Sequence, residues 1–134
     1  MEKISFLSIS ERLKAITLPE TDVVIGIATG GIVPASLIAY KIGCDVEFIK
    51  INYRDENNSP HFDAPKLLLE FSKAYQGKKL LIVDDVSVSG KTMEFAKSFF
   101  KDNEVKTLAF KGKADYFLFP EIKTCVHWPW KTGS

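Results

Sequence analysis

The feature that most constrains the fold is an alternation along the chain. Val23 to Ala28 (VVIGIA) and Leu80 to Val83 are short apolar runs rich in branched residues, and Val105 to Phe110 reads as a further strand. Runs of that length between turn residues read as buried strands. Val46 to Tyr53 (VEFIKINY) alternates apolar and polar residues, which also reads as a strand. Between these runs lie segments with helical spacing. Strands alternating with helices imply βαβ units with right-handed crossovers. The expected class is α/β, a parallel sheet flanked by helices.

The helical segments carry their own punctuation. Ser8 and Glu11 form a capping-box pair, Leu13 and Ile16 follow at helical spacing, and Pro19 and Glu20 end the run, placing a helix up to about Thr17. Thr29-Gly30-Gly31 is a turn, and Pro34 in the next first turn starts a helix that Leu37, Ile38 and Ile42 carry to Gly43. Arg54 to Ala64 is polar and aperiodic, the longest loop, and long loops in compact domains are often functional. Pro65 is expected to open a helix ending near Gly77. Met93, Ala96, Phe99 and Phe100 predict another after Gly90. Tyr116 to Trp130 reads as short strands and turns.

Bulk properties exclude several classes. At 134 residues the chain is expected to be one domain, residues 1–134. A net charge of +1 offers no attraction to nucleic acid or to a membrane surface. Cys44 and Cys125 have no CxxC or metal-ligand spacing and read as reduced thiols of a cytoplasmic protein. No apolar run approaches membrane-spanning length, and the N-terminus lacks a signal-peptide profile.

Chemistry concentrates in LIVDDVSVSGKT, residues 81–92. Gly90-Lys91-Thr92 resembles the end of a P-loop. That pattern, G-x-x-x-x-G-K-[ST], would put a glycine at position 85, where Asp85 stands and would repel phosphate. The strand–loop–helix order still suits an anion, because a helix start presents free N–H groups. Ser87, Ser89 and Thr92 add hydroxyls, and Lys91 adds charge. Asp84 and Asp85 then need another partner, either sugar hydroxyls or a metal. Phosphate beside a polyol describes a phosphorylated sugar. Ligands of parallel sheets bind at the carboxyl ends of strands, and Thr29-Gly30-Gly31, Tyr53-Arg54 and Asp84 to Thr92 all fall there.

These residues resemble a known family. VDDVSVSGKT is similar to the signature of type I phosphoribosyltransferases, and IATGGIVPA (27–35) to that family's pyrophosphate loop. TCVHWPW (124–130) resembles the ending of the small xanthine–guanine and hypoxanthine members. The likeness covers about residues 23–130 and implies the type I fold, with a small hood from the termini. It also implies roles. Asp84 and Asp85 would hold the ribose hydroxyls of phosphoribosyl pyrophosphate, and Ser87, Val88, Ser89, Gly90, Lys91 and Thr92 its 5-phosphate. Thr29, Gly30 and Gly31 would meet the pyrophosphate. Lys111 would read the 6-oxo group of a purine, with Cys125 and Val126 near the base. Tyr53 and Arg54 would open a flexible loop that covers the site, with His61 within it. Mg²⁺ would ride mostly on substrate oxygens, with Asp84 and Asp85 as possible ligands. The partners implied are phosphoribosyl pyrophosphate, a nucleobase and further copies of the chain, as a homodimer or homotetramer.

Three positions depart from the pattern. Val88 stands where oxopurine members carry an aspartate, and valine moves no proton. Thr29 stands where Arg or Lys precedes Gly-Gly, and Cys125 where an aromatic residue stacks on the base. They keep a second reading open, a non-catalytic regulator that binds phosphoribosyl pyrophosphate or a nucleotide. A phosphatase or kinase is disfavoured, since there is no Walker spacing and no second acidic cluster.

Overall fold

The computed structural model describes residues 1–52, 66–69 and 74–131. In chain order the elements are β1 (Glu2–Lys3), α1 (Phe6–Ala15), β2 (Val23–Ala28), α2 (Ile32–Ile42), β3 (Asp45–Asn52) and β4 (Lys66–Leu69). Then come β5 (Lys79–Ser87), α3 (Lys91–Lys97), β6 (Glu104–Gly112), β7 (Tyr116–Phe117) and β8 (Val126–His127). A six-stranded sheet has the order β4-β3-β2-β5-β6-β7. Its pairings are parallel except β3–β4, which is antiparallel. β1 and β8 pair in parallel as a separate two-stranded ribbon that ties the N-terminal segment to the C-terminal one. This ribbon is the hood expected from the termini.

Alternation within each strand builds two cores. In β2, Val24 joins one apolar cluster and Ile25 the other; in β5, Leu81 and Val83 face one way, Leu80 and Ile82 the other. A parallel sheet needs both faces covered, and here helices cover both. Ile9 of α1 and Ala35 and Ile38 of α2 pack on the first face. Met93 and Ala96 of α3, with Phe100 beyond it, pack on the second. The hood seats on the first face through Trp128, which is buried, meets Phe110 edge-on and stacks on Trp130 at 5.2 Å between ring centroids. Burying a large apolar side chain contributes about 1.5–3 kcal/mol, so these few aromatics anchor the hood.

Several expectations need correction. The helix cap is Ser5, whose Oγ accepts from the Ser8 amide at 3.0 Å, three residues before the expected capping box. Ser5 precedes Phe6 directly, which lets the helix start earlier and end at Ala15. The helix expected from Pro65 is replaced at Lys66–Leu69 by β4, which adds to the edge of β3. Pairing with an open sheet edge outweighs the local helix signal there. The third helix stops at Lys97, so Phe99 and Phe100 pack from the turn beyond it. β5 runs on to Ser87, which puts both aspartates inside the strand end. The 54–64 loop, with Tyr53, Arg54 and His61, lies outside the described residues.

The topology fixes where a ligand fits. β2 leads through α2 to β3 on one side, while β5 leads through α3 to β6 on the other. β2 and β5 are neighbours, so their carboxyl ends flank the point where chain direction across the sheet reverses. Crevices form at such points.

Candidate functional site

Asp84 and Asp85 stand at that crevice. The Asp85 amide donates to Asp84 Oδ1 at 2.8 Å, and the Val86 amide to Asp85 Oδ1 at 2.8 Å. Each carboxyl is therefore held by the strand's own backbone. Burial, reinforced by the adjoining Asp85 carboxyl, pushes the Asp84 carboxyl up to about 8. At neutral pH the pair holds a proton, so it can both donate to and accept from hydroxyl groups. Lys131 Nζ lies 3.7 Å from Asp85 Oδ2 and partly offsets the remaining negative charge.

The turn after β2 closes against this pair. A Cβ at Gly30 would lie 2.6 Å from Asp85 Oδ1, so only glycine lets the turn approach the carboxylate. Gly31 donates to the Ile27 carbonyl at 2.7 Å, and Ile32 to the Thr29 carbonyl at 3.1 Å, folding Thr29-Gly30-Gly31 tightly into α2. Two segments far apart in sequence are thus brought together as expected.

Beyond the aspartates, Ser87, Val88, Ser89, Gly90, Lys91 and Thr92 curl round a cavity of about 360 Å³ that Asp84 also lines. The Ser89 hydroxyl accepts from the Lys91 amide at 3.3 Å, and Gly90 takes φ +85°. α3 has seven residues, too short for its dipole to dominate. The groups this loop could offer an anion are therefore its hydroxyls, its amides and the Lys91 charge.

A second cavity, of about 520 Å³, shares the wall formed by Val86, Ser87 and Val88. Its apolar side is completed by Phe117, Pro120 and Ile122, and its polar side by Lys111, Lys113 and Lys123. Both volumes suit small-molecule sites. Lys111 Nζ donates to the Thr124 carbonyl at 2.5 Å, which holds its head at the rim. Cys125 and Val126 are not brought to this cavity. The Cys125 carbonyl accepts from Glu2, and Val126 pairs in the hood, so both serve the β1–β8 ribbon.

Three residues escaped the sequence reading. Phe117 presents a half-exposed ring to the second cavity; its place in an aromatic tail gave no sign of which ring would face out. Gly112 has φ +109°, and a Cβ there would lie 2.0 Å from the Ser87 carbonyl oxygen. It lets Lys113 donate to that oxygen at 2.7 Å and locks the ends of β5 and β6 together. A glycine at a strand end was its available signal. Lys131 lies past the last recognised motif, and its reach to Asp85 is a tertiary fact.

Among the described residues, no group of three or more His, Cys, Asp or Glu side chains could hold a metal ion. The Asp84–Asp85 pair fits Mg²⁺ as Mg²⁺ is often held, by one or two carboxylates with substrate oxygens completing the shell. Nor is any helix among the described residues long and apolar enough to cross a membrane.

Comparison with known proteins agrees with this geometry. The phosphoribosyl transferase domain matches residues 9–130. The chain is 32% identical over 89 residues to the transcriptional regulator GfcR of Methanocella arvoryzae, covering 66% of this chain and 43% of that protein. It thus spans less than half the length of the curated relatives it matches. Its fold superposes on a purine phosphoribosyltransferase from Pyrococcus horikoshii with TM-score 0.81 and 22% identity, over 98% of this chain and 95% of that one. A hypothetical protein from Neisseria gonorrhoeae with bound ppGpp gives TM-score 0.72 and 24% identity, over 98% and 90%. At these identities the two crystal structures speak for the fold. The domain match spans nearly the whole chain, and the chain belongs to the phosphoribosyl transferase domain family, with the type I fold.

Proposed function

We propose that this chain is a cytoplasmic, single-domain phosphoribosyltransferase that moves 5-phosphoribose from phosphoribosyl pyrophosphate to a purine base. The carrying observation is the Asp84–Asp85 pair at the strand crossover, closed on by Gly30 and continued by the hydroxyl-lined loop. In this reading Asp84 and Asp85 hold the two ribose hydroxyls, and residues 87–92 wrap the 5-phosphate. Gly31 and Ile32 spend their amides inside the turn, which leaves Thr29 and Gly30 to offer theirs to the pyrophosphate. Lys111 meets an exocyclic oxygen of the base. The wall containing Phe117 takes the ring face, in place of Cys125 and Val126.

In the reaction the bond from the anomeric carbon to pyrophosphate breaks, and its electron pair leaves with pyrophosphate. A ring nitrogen of the base supplies the pair for the new C–N bond. The protein's part is to align the two and to stabilise the charge that develops between them. Mg²⁺, when bound with substrate, supplies charge neutralisation on the leaving group. Further copies of the chain are the expected partners, as a homodimer or homotetramer.

A second reading has its own support. Exposed Val88 brings no proton acceptor to the base side, and the curated relatives are transcriptional regulators. Under it the same site binds phosphoribosyl pyrophosphate or a nucleotide without turnover. Calorimetry with phosphoribosyl pyrophosphate and Mg²⁺, followed by an assay of pyrophosphate release over a panel of bases, separates the two. Base-dependent release supports the transferase; binding without release for every base supports the regulator. The double variant Asp84→Asn/Asp85→Asn should lose substrate binding by roughly 100-fold or more, since it removes the pair's negative charge together with its shared proton. Unchanged affinity would remove those residues from the site.

A further inference from the structure

The second cavity has a one-sided chemistry. Its ionisable lining groups among the described residues are three lysines, Lys111, Lys113 and Lys123, with no carboxylate, imidazole, thiol or phenol beside them. Nearby acids are engaged elsewhere. Glu121 pairs with Arg12 through both oxygens, and Asp115 accepts from the Thr107 amide and hydroxyl. Lys111 spends one N–H on the Thr124 carbonyl and keeps two for a ligand. A concave site lined by one sign of charge against low-dielectric walls concentrates ligands of the opposite sign.

Much of the remaining lining is apolar. Val86, Val88, Phe117, Pro120 and Ile122 offer a surface for the face of a planar ring, and Phe117 is 45% exposed. An aromatic face left open in a cavity suits ring stacking. The third observation is an absence of proton chemistry. Of the described residues lining either cavity, Asp84 is the one carboxyl, and it belongs to the pair assigned to the ribose. A neutral base must give up a ring proton as its nitrogen is glycosylated, and this wall offers no group to receive it.

We infer that the cavity selects an acidic heteroaromatic base, one whose ring is already anionic near neutral pH, over a neutral base. The inference rests on the reading of this site as one for phosphoribosyl transfer. An anionic ring satisfies the three lysines, lies on the Phe117 wall and needs no proton acceptor. Its nitrogen lone pair forms the bond to the anomeric carbon while the pyrophosphate bond breaks; the ring's own negative charge takes up the remaining ring proton, so no proton has to pass to the protein. Phe117, Lys113 and Lys123 become specificity residues of the site.

The test compares xanthine with hypoxanthine, which lacks the second ring oxygen, across the pH range where xanthine ionises. Affinity is measured by calorimetry with and without phosphoribosyl pyrophosphate and Mg²⁺, alongside pyrophosphate release. Ionised xanthine should bind roughly tenfold tighter than hypoxanthine, and acidification should erase the preference. Lys113→Gln/Lys123→Gln should lower that preference roughly fivefold, as expected for two partly exposed ion pairs. Phe117→Ala should weaken both bases by similar factors. Thermal melts check that each variant stays folded. Equal affinity for the two bases, no binding of either, or an unchanged preference in the folded lysine variant would overturn the inference. Selective binding of ionised xanthine without pyrophosphate release would uphold the cavity's selectivity and overturn the transferase reading.

Discussion

Replacing Asp84 by Asn should make the folded protein more stable at neutral pH, although the residue stands at the centre of the site. In the folded chain the Asp84 carboxyl is raised from 3.8 to about 8 by burial and by the Asp85 carboxyl beside it. Between those values the folded state keeps a proton that the unfolded chain releases. Stability therefore falls as pH rises through that window, by at most about 1.4 kcal/mol per pH unit for one group. From pH 5 to pH 7 the ceiling is about 2.7 kcal/mol. Because pH 5 lies above 3.8 and pH 7 below about 8, most of that ceiling applies, a loss of about 2 kcal/mol. Asn at 84 is uncharged throughout, and its side-chain oxygen can still accept the bond that the Asp85 amide gives Asp84 Oδ1. Urea unfolding of both proteins at pH 5, 6, 7 and 8 reads the difference. The variant should already lead at pH 5, which lies above 3.8, and its lead should grow by about 2 kcal/mol between pH 5 and pH 7. Curves that stay parallel from pH 5 to 8 would refute the shared-proton description of the pair.

Two further substitutions probe how the site is supported. Gly112→Ala places a Cβ 2.0 Å from the Ser87 carbonyl in a positive-φ conformation, and should destabilise the chain by about 2–4 kcal/mol in urea unfolding, loosening the loop that starts at Ser87 with it. Trp128→Ala removes the buried ring that meets Phe110, Phe119 and Trp130, and should cost about 3–5 kcal/mol by the same assay, with the hood first to exchange its amide hydrogens.

The β2, α2 and β6 regions were legible because each carries a local signal that tertiary packing reinforces. VVIGIA is branched, short and bounded by turns, and it forms β2 with the expected ends. Pro34 and Gly43 bracket α2, with Gly43 as its left-handed cap. The Pro65 segment misled because edge pairing with β3 depends on a partner that local sequence does not show. The acidic pair was legible as a candidate site because two carboxylates before a Ser- and Gly-rich turn are costly unless used. Its proton sharing was not, since that depends on burial at the crossover and on Lys131 arriving from the C-terminal segment. Cys125 and Val126 were expected near a base; what the structure adds is their backbone pairing in the hood, next to the Thr124 carbonyl that holds Lys111.

By itself, the order of residues determined the α/β class, the position of the Ser- and Gly-rich loop after the acidic pair and the tight turn that closes against it. These are consequences of periodicity, turn chemistry and the spacing of charged groups, all written within a few consecutive residues. Tertiary structure alone decided that Gly30 lies against Asp85 and that Gly112 clasps Ser87. It also decided that Phe117, Lys111, Lys113 and Lys123 line one cavity. Each of those arrangements joins segments far apart in the chain. Their geometry comes from how the sheet, helices and hood pack together, which no local pattern encodes.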